Sequence, residues 1–333
     1  MNEALHYKKL KDNLVQCQLC PRFCSIKPGE IGDCKARKNE KGELYSLVYG
    51  KLCSVNVDPI EKKPMYHFLP GEHAFSIGTT GCNLHCAFCQ NWSTSQANAG
   101  SVPGMDLNPK EAVTLAMNKD CKIIAYTYND PIVFFEYVLD TAKIARKKGL
   151  KNVIVCNGYI NPKPLKEWCK YIDGANIDLK SFNPEFYKKY CFGELEPVKE
   201  SLKILKKNKV WLEITNLIIP GLNDDLKEIG EMCKWIAKEL GKDVPIHFSR
   251  FHPCHKMLDR APTSVESLHK IAEVAKKHLN YVYLGNVLEK GETICPECGE
   301  HLIERSYCLE HDKLEDGCCP CGKKIPGCWE IKT

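Results

Sequence analysis

The chain has no long hydrophobic run: no stretch approaches the roughly 18 apolar residues that a membrane-spanning helix needs. Its first residues, Met1 to His6, lack the charged-then-apolar layout of a secretion signal, so a cytoplasmic location is expected. No internal repeat or low-complexity tract interrupts it, and no Ser-His-Asp pattern or general-base pair stands out. Charge of one sign is not in excess either. The 47 Lys and Arg stand against 42 Asp and Glu, a net +5, and lysine groups such as Lys143 to Lys148 and Lys203 to Lys209 read as solvated helix faces. Nucleic acid is therefore not an expected partner. With 44% hydrophobic and 27% charged residues, 333 residues suffice for one large domain with additions, or for two.

Cysteine is what the chain has in quantity. Twenty-one cysteines without an export signal argue for metals rather than disulfides. Most fall in three groups, at 17–34, 82–89 and 295–328. Cys53, Cys121, Cys156, Cys169, Cys191, Cys233 and Cys254 are scattered and read as buried thiols. The central group, Cys82, Cys86 and Cys89, has the spacing C-x3-C-x2-C. A 4Fe–4S cluster wants one protein sulfur on each of its four irons, so a compact loop with three sulfurs leaves one iron open. The competing readings are a zinc loop and an ordinary ferredoxin-type site; zinc would need a fourth ligand, for which His85 is at hand.

From about residue 73, strand-like apolar runs alternate with amphipathic stretches. Strands are expected at 73–77, 121–126, 152–156, 175–179, from 210 and at 244–248. Helices are expected at 132–148, 197–208, 224–240 and 264–278, with another opened by Asn108-Pro109 and Glu111. Thr263 and Glu266 suggest a capping box for the last helix. This alternation predicts parallel strands with helical crossovers, an α/β fold whose chemistry lies at the C-terminal strand ends. At those ends stand Asn129 and Asp130, ordinary capping residues in a polar turn, and Asn157 before Gly158. Asp178 and Lys180 share one side of a strand and are costly there unless paired with each other or with a ligand. His252 is open to metal binding, packing or ligand contact, and Arg250 offers positive charge for a carboxylate.

At the C-terminus, Cys295, Cys298, Cys318 and Cys321 form two C-x2-C knuckles with the spacing of a zinc ribbon, a structural site that four thiolates also suit to iron. Cys319 is an alternative ligand, and Cys308 and Cys328 are spares. At the N-terminus, Cys17, Cys20, Cys24 and Cys34 offer four thiols whose spacing does not separate zinc from an auxiliary iron–sulfur cluster; a metal-stapled structural segment is the slightly favoured reading.

The central loop closely resembles that of the radical S-adenosylmethionine (SAM) enzymes in its spacing, in Phe88 before the third cysteine, and in the preceding Gly78-Thr79-Thr80-Gly81. Over residues 15 to 330 the chain resembles the radical SAM member of the AmmeMemoRadiSam system, a relative of the pyruvate formate-lyase (glycyl-radical) activating enzymes. Thr127-Tyr128-Asn129-Asp130-Pro131, Arg250-Phe251-His252-Pro253 and both cysteine-rich ends carry that likeness. Asp130 stands where the subfamily has Glu, and Thr215 near where activating enzymes have an arginine, so the arginine's role is not carried over.

The resemblance implies a partial (β/α)6 barrel at 73–290, between a Cys-rich extension at 1–72 and a four-cysteine metal-binding ribbon at 291–333. It implies a 4Fe–4S cluster on Cys82, Cys86 and Cys89, and SAM against Phe88, Asn129, Asp130, Asn157, Asp178, Lys180 and His252. The activity implied is reductive SAM cleavage to a 5′-deoxyadenosyl radical that takes hydrogen from a substrate, which a protein would suit. An electron donor such as flavodoxin or ferredoxin, and Memo-like or Ammecr-type partners, follow from the same likeness. The alternative is a non-catalytic Fe–S or zinc scaffold, or an electron-transfer component of a multi-protein complex.

Overall fold

Eight strands lie side by side in chain order in one large sheet: β1 (Ser54–Pro59), β2 (His73–Gly78), β3 (Ile123–Tyr126), β4 (Lys151–Cys156), β5 (Gly174–Asp178), β6 (Trp211–Ile218), β7 (Ile246–Arg250) and β8 (Val282–Gly285). The computed structural model that shows this describes residues 2–306 and 308–330. Strands β2 to β8 are parallel, and β1 runs antiparallel to β2 at the edge. Parallel neighbours need long crossovers. Helices α1 (Pro109–Asn118), α2 (Phe135–Lys147), α3 (Pro162–Trp168), α4 (Leu195–Lys207), α5 (Leu226–Glu239) and α6 (Val265–Lys276) supply them, one in each successive interval from β2 to β8.

Six strand–helix units follow, as the alternating pattern predicts. Two strands depart from the expectation. β8 closes the last unit as a seventh parallel strand, and β1, within the segment read as an N-terminal extension, joins the sheet. Interior strand β3 is apolar along its length, and all four of its residues are buried, as in a sheet covered on both faces. The helices bury one stripe each; in α4 it is Leu195, Val198, Leu202 and Leu205.

Local signals hold at α1, where Asn108 accepts from the N–H groups of Lys110 and Glu111 while the Glu111 carboxylate accepts from Asn108 N–H. They fail at α6, whose cap is Ser264 rather than Thr263. The Thr263 hydroxyl is needed elsewhere. It donates to the Ile218 carbonyl at 2.6 Å and accepts from Phe251 N–H at 3.1 Å, stitching the ends of β6 and β7.

The chain ends dock on opposite sides of this sheet. The N-terminal segment forms two small antiparallel sheets. Its Arg37, 1% exposed, pairs with Glu136 of α2 at 2.5 Å. The C-terminal segment forms the antiparallel sheet β9 (Gly291–Ile294), β10 (His301–Arg305) and β11 (Leu309–Asp312), whose apolar core includes Tyr66, Tyr281 and Tyr283. Those residues and Glu213 lie at or before the starts of β6 to β8, away from the strand ends that carry candidate site residues. Glu213 is fully buried there and accepts from the N–H groups of Tyr66, His67, Trp211 and His247.

His67 links the two parts, its ring nitrogens 2.7 Å from the Pro326 carbonyl and 2.6 Å from the Tyr283 hydroxyl. Burial lowers its pKa to about 4. A histidine kept neutral when folded stabilises fully above its unfolded value of about 6.5, and that contribution fades as pH falls toward 4. About 3 kcal/mol is at stake over that window. Chemical denaturation at pH 7 and pH 4.5 should therefore show a steeper loss of stability in the parent than in His67→Gln. Equal slopes would remove His67 from the acid sensitivity.

Candidate active site

Because β2 to β6 are parallel, their C-terminal ends share one edge, which opens into a cleft of about 340 Å³. β2 stops at Gly78, where a Cβ would lie 2.5 Å from the Thr127 carbonyl oxygen. Only glycine lets the loops after β2 and β3 approach that closely. The β2 loop then delivers Cys82, Cys86 and Cys89 to the cleft, with Phe88 buried beside them against Phe186.

The loop is tied on several sides. Asn129 accepts from Thr79 N–H at 3.0 Å and donates to the Gly81 carbonyl at 2.9 Å. The N–H groups of His85 and Ala87 donate to the carbonyls of Cys191 and Tyr190. Asn157 donates to Asn83 at 2.9 Å and reaches within 3.8 Å of Cys82 Sγ. Asn129 and Asn157 therefore position the cysteine loop as well as lining the cleft. His85 is occupied: Nε2 lies 2.7 Å from Asp33 and Nδ1 2.6 Å from Gln96. The hydrogen bond to Asp33 raises its pKa. A ring with both nitrogens so engaged does not offer zinc a ligand, which removes the fourth donor that reading needed.

Asp130 is at the cleft wall but both carboxylate oxygens are taken, Oδ1 by Ile132 N–H and Oδ2 by Asn157 N–H. Its capping role is thus visible in the geometry. Burial raises its pKa to about 6, opposed by those two N–H groups. Asp178 and Lys180 face the cleft as a pair at 3.0 Å. Burial works against the Lys180 charge, but Asp178 and the neighbouring thiols Cys86 and Cys191 hold its pKa well above that of a free lysine. A cleft that keeps a charged lysine beside a half-exposed carboxylate suits a zwitterionic ligand.

His252 is exposed and does not line the cleft with the other candidate residues. Pairing of Phe251 with Thr263 turns the buried Phe251 inward and leaves the next residue outside. Arg250 donates to the Thr263 carbonyl at 2.7 Å, so it too serves the scaffold. Sequence reasoning gave no site role to Asn176, Thr215, Ser249 and Asn286, which line the cleft, because single polar residues in strands and loops carry no pattern. Cys191 is buried, as expected of a scattered thiol, and its carbonyl also accepts from His85 N–H of the cysteine loop.

The flanking groups differ in form. At the C-terminus the sulfurs of Cys295, Cys298, Cys319 and Cys321 lie within 4.8 Å of one another, close enough to hold a metal ion, so Cys319 takes the place expected of Cys318. The turn at Cys318-Cys319-Pro320 decides this: Cys318 pairs through its backbone with Glu315 and Lys324, and its thiol faces the Asp316 carbonyl. Cys17, Cys20, Cys24 and Cys34 line a single small cavity. Zinc titration should find Cys319→Ala weakened by more than the 10–100-fold typical of losing an outer-shell partner, with Cys318→Ala close to the parent. The reverse order would restore Cys318 as the ligand.

Comparison with known proteins agrees with this geometry. The family profile of the Radical SAM superfamily matches residues 76–236, which run from β2 into α5. An uncharacterized protein of Methanocaldococcus jannaschii is 45% identical over 332 residues, covering 98% of this chain and 99% of its own. The pyruvate formate-lyase 1-activating enzyme of Escherichia coli is 25% identical over 180 residues, 53% of this chain and 73% of that enzyme. Among solved structures, Streptococcus suis SuiB bound to its precursor peptide SuiA superposes with a TM-score of 0.52 at 13% identity, over 68% of this chain and 51% of that one. A radical SAM methyltransferase from Sphaerobacter thermophilus gives 0.51 at 12% identity, over 65% and 67%. Among the described residues no helix is long and apolar enough to cross a membrane. Three convergent cysteines on the first parallel strand's loop, the strand-end cleft and the profile match together place residues 76–236 in the radical SAM superfamily.

Proposed function

We propose that this protein is an enzyme that cleaves SAM reductively and uses the resulting radical to take a hydrogen atom from a substrate. The observation that carries the reading is the convergence of Cys82, Cys86 and Cys89 on one cleft that also presents Asp178 and Lys180. Three thiolates suit a 4Fe–4S cluster with one open iron, and the donor set fits that group. When bound, the reduced cluster supplies one electron to SAM, which breaks to methionine and a 5′-deoxyadenosyl radical.

The chain's own residues do the rest. Asn129, Asn157 and the carbonyls of Tyr190 and Cys191 hold the cysteine loop in place. Lys180 is available to a carboxylate and Asp178 to an ammonium or ribose hydroxyl. Phe88 keeps one side of the cleft apolar, which helps exclude water. Membership of the AmmeMemoRadiSam system, with Memo-like or Ammecr-type partners, is our reading of the signatures at 127–131 and 250–253 and of both cysteine-rich ends. A flavodoxin or ferredoxin would serve as electron donor. We assign zinc to the C-terminal group, where two sulfur pairs stand 3.8 and 3.5 Å apart. Thiolates bound to one zinc at about 2.3 Å sit roughly that far from each other.

Anaerobic protein with reconstituted clusters, dithionite and SAM should release 5′-deoxyadenosine and methionine together. Cys89→Ala should release neither. Lys180→Met should weaken SAM binding by about 10-fold or more, the worth of a hydrogen bond to a charged group. No nucleoside from protein with an intact cluster would return the chain to a scaffold role.

A further inference from the structure

The N-terminal cysteines are not used by the reading above, although they abut its centre. Cys17, Cys20, Cys24 and Cys34 come from separate turns and strands of the N-terminal segment, yet they line one cavity. Their arrangement differs from that of the C-terminal four. There the sulfurs crowd within 4.8 Å of one another, as one small ion requires, and among the described residues no other group of three or more candidate ligands does so. The N-terminal four are not crowded to that degree; they line a small cavity, as Cys82, Cys86 and Cys89 line the larger cleft. Four cavity-lining thiols that do not crowd together fit four separate irons of one cluster better than a single tetrahedral ion.

A second observation points the same way. Arg37 lines this cavity and is buried. One of its terminal nitrogens pairs with Glu136, and another lies 4.0 Å from Cys17 Sγ. Its Nε is buried and has no hydrogen-bond partner. An orphaned guanidinium N–H is costly in an apolar wall unless an acceptor is present, and the sulfurs of an anionic cluster are acceptors.

The cavity also shares a wall with the cysteine loop of the cleft. Asn83, the residue after Cys82, lines it. Gly81, the residue before Cys82, has positive φ, and a Cβ there would lie 2.5 Å from the Cys34 carbonyl oxygen. Arg22 adds to the seam by donating to the Asn83 carbonyl and pairing with Asp33, which in turn holds His85.

We propose that Cys17, Cys20, Cys24 and Cys34 ligate a second 4Fe–4S cluster, packed against the loop that carries the first. With all four irons held by protein sulfur, this cluster has no vacancy for SAM. The inference does not depend on SAM cleavage, because the site can be read with the first cluster removed.

The test is anaerobic iron, acid-labile sulfide and zinc analysis with EPR. The full chain should contain about eight irons and eight sulfides, and Cys82→Ala/Cys86→Ala/Cys89→Ala about four of each. The reduced EPR signal of that variant should not change when SAM is added. Adding Cys17→Ala and Cys24→Ala should remove the remaining iron and sulfide, while circular dichroism and the C-terminal metal report that the chain is folded. Four irons in the parent with a sulfide-free triple variant would overturn the proposal. So would two zinc ions per chain, or two irons and two sulfides in the triple variant.

Discussion

The amide of Asn129 is the tie on which the rest of this site depends. One side chain receives the Thr79 N–H and gives its own N–H to the Gly81 carbonyl, so the end of β3 fixes the loop that leaves β2. A cysteine loop of this kind has no regular secondary structure to hold it, and three sulfurs must nevertheless converge on one point. The buried hydrogen bonds from Asn129 and Asn157 and to the Tyr190 and Cys191 carbonyls supply that rigidity, and each would be expensive to leave unmade.

The parallel sheet explains why these groups meet. Every strand from β2 to β8 presents the same end to the same edge, so residues distant in sequence arrive together, as Cys82, Asn157 and Lys180 do. The opposite edge is given over to support. There Glu213, His67 and Arg305 bury a polar network that fastens the C-terminal sheet to the strand starts. The N-terminal segment takes the active edge instead and leans on the cysteine loop through Arg22, Asp33 and the Gly81–Cys34 approach. The two cysteine-rich ends are therefore not equivalent: one packs on the strand starts, the other against the cysteine loop.

Much of this was legible in the sequence, for identifiable reasons. Long apolar runs separated by amphipathic stretches leave few alternatives to parallel strands with crossovers, and Asn108-Pro109 with Glu111 marked a helix start that is realised in full. Cysteine spacing placed three groups where the structure has three clusters of thiols. What escaped depended on tertiary contact. β8 is four residues long, and β1 alternates with polar residues inside a cysteine-rich segment, so neither had a pattern of its own. Between Cys318 and Cys319 the spacing was one residue from ambiguous, and only the turn decides which sulfur points inward. His252 belongs to a recognisable signature, but the direction of its side chain was set by Phe251 and Thr263. Asp130 shows the same limit, since its two oxygens could be assigned to backbone N–H groups only once both were located.

The central claim is that Cys82, Cys86 and Cys89 hold a cluster with one iron open to SAM. Electron–nuclear double resonance on the reduced protein, with SAM labelled at its amino nitrogen and carboxylate oxygen, measures this most directly. Hyperfine coupling of both labels to the cluster is the predicted result. A reduced cluster on these three cysteines that shows no coupling to either label would contradict the account.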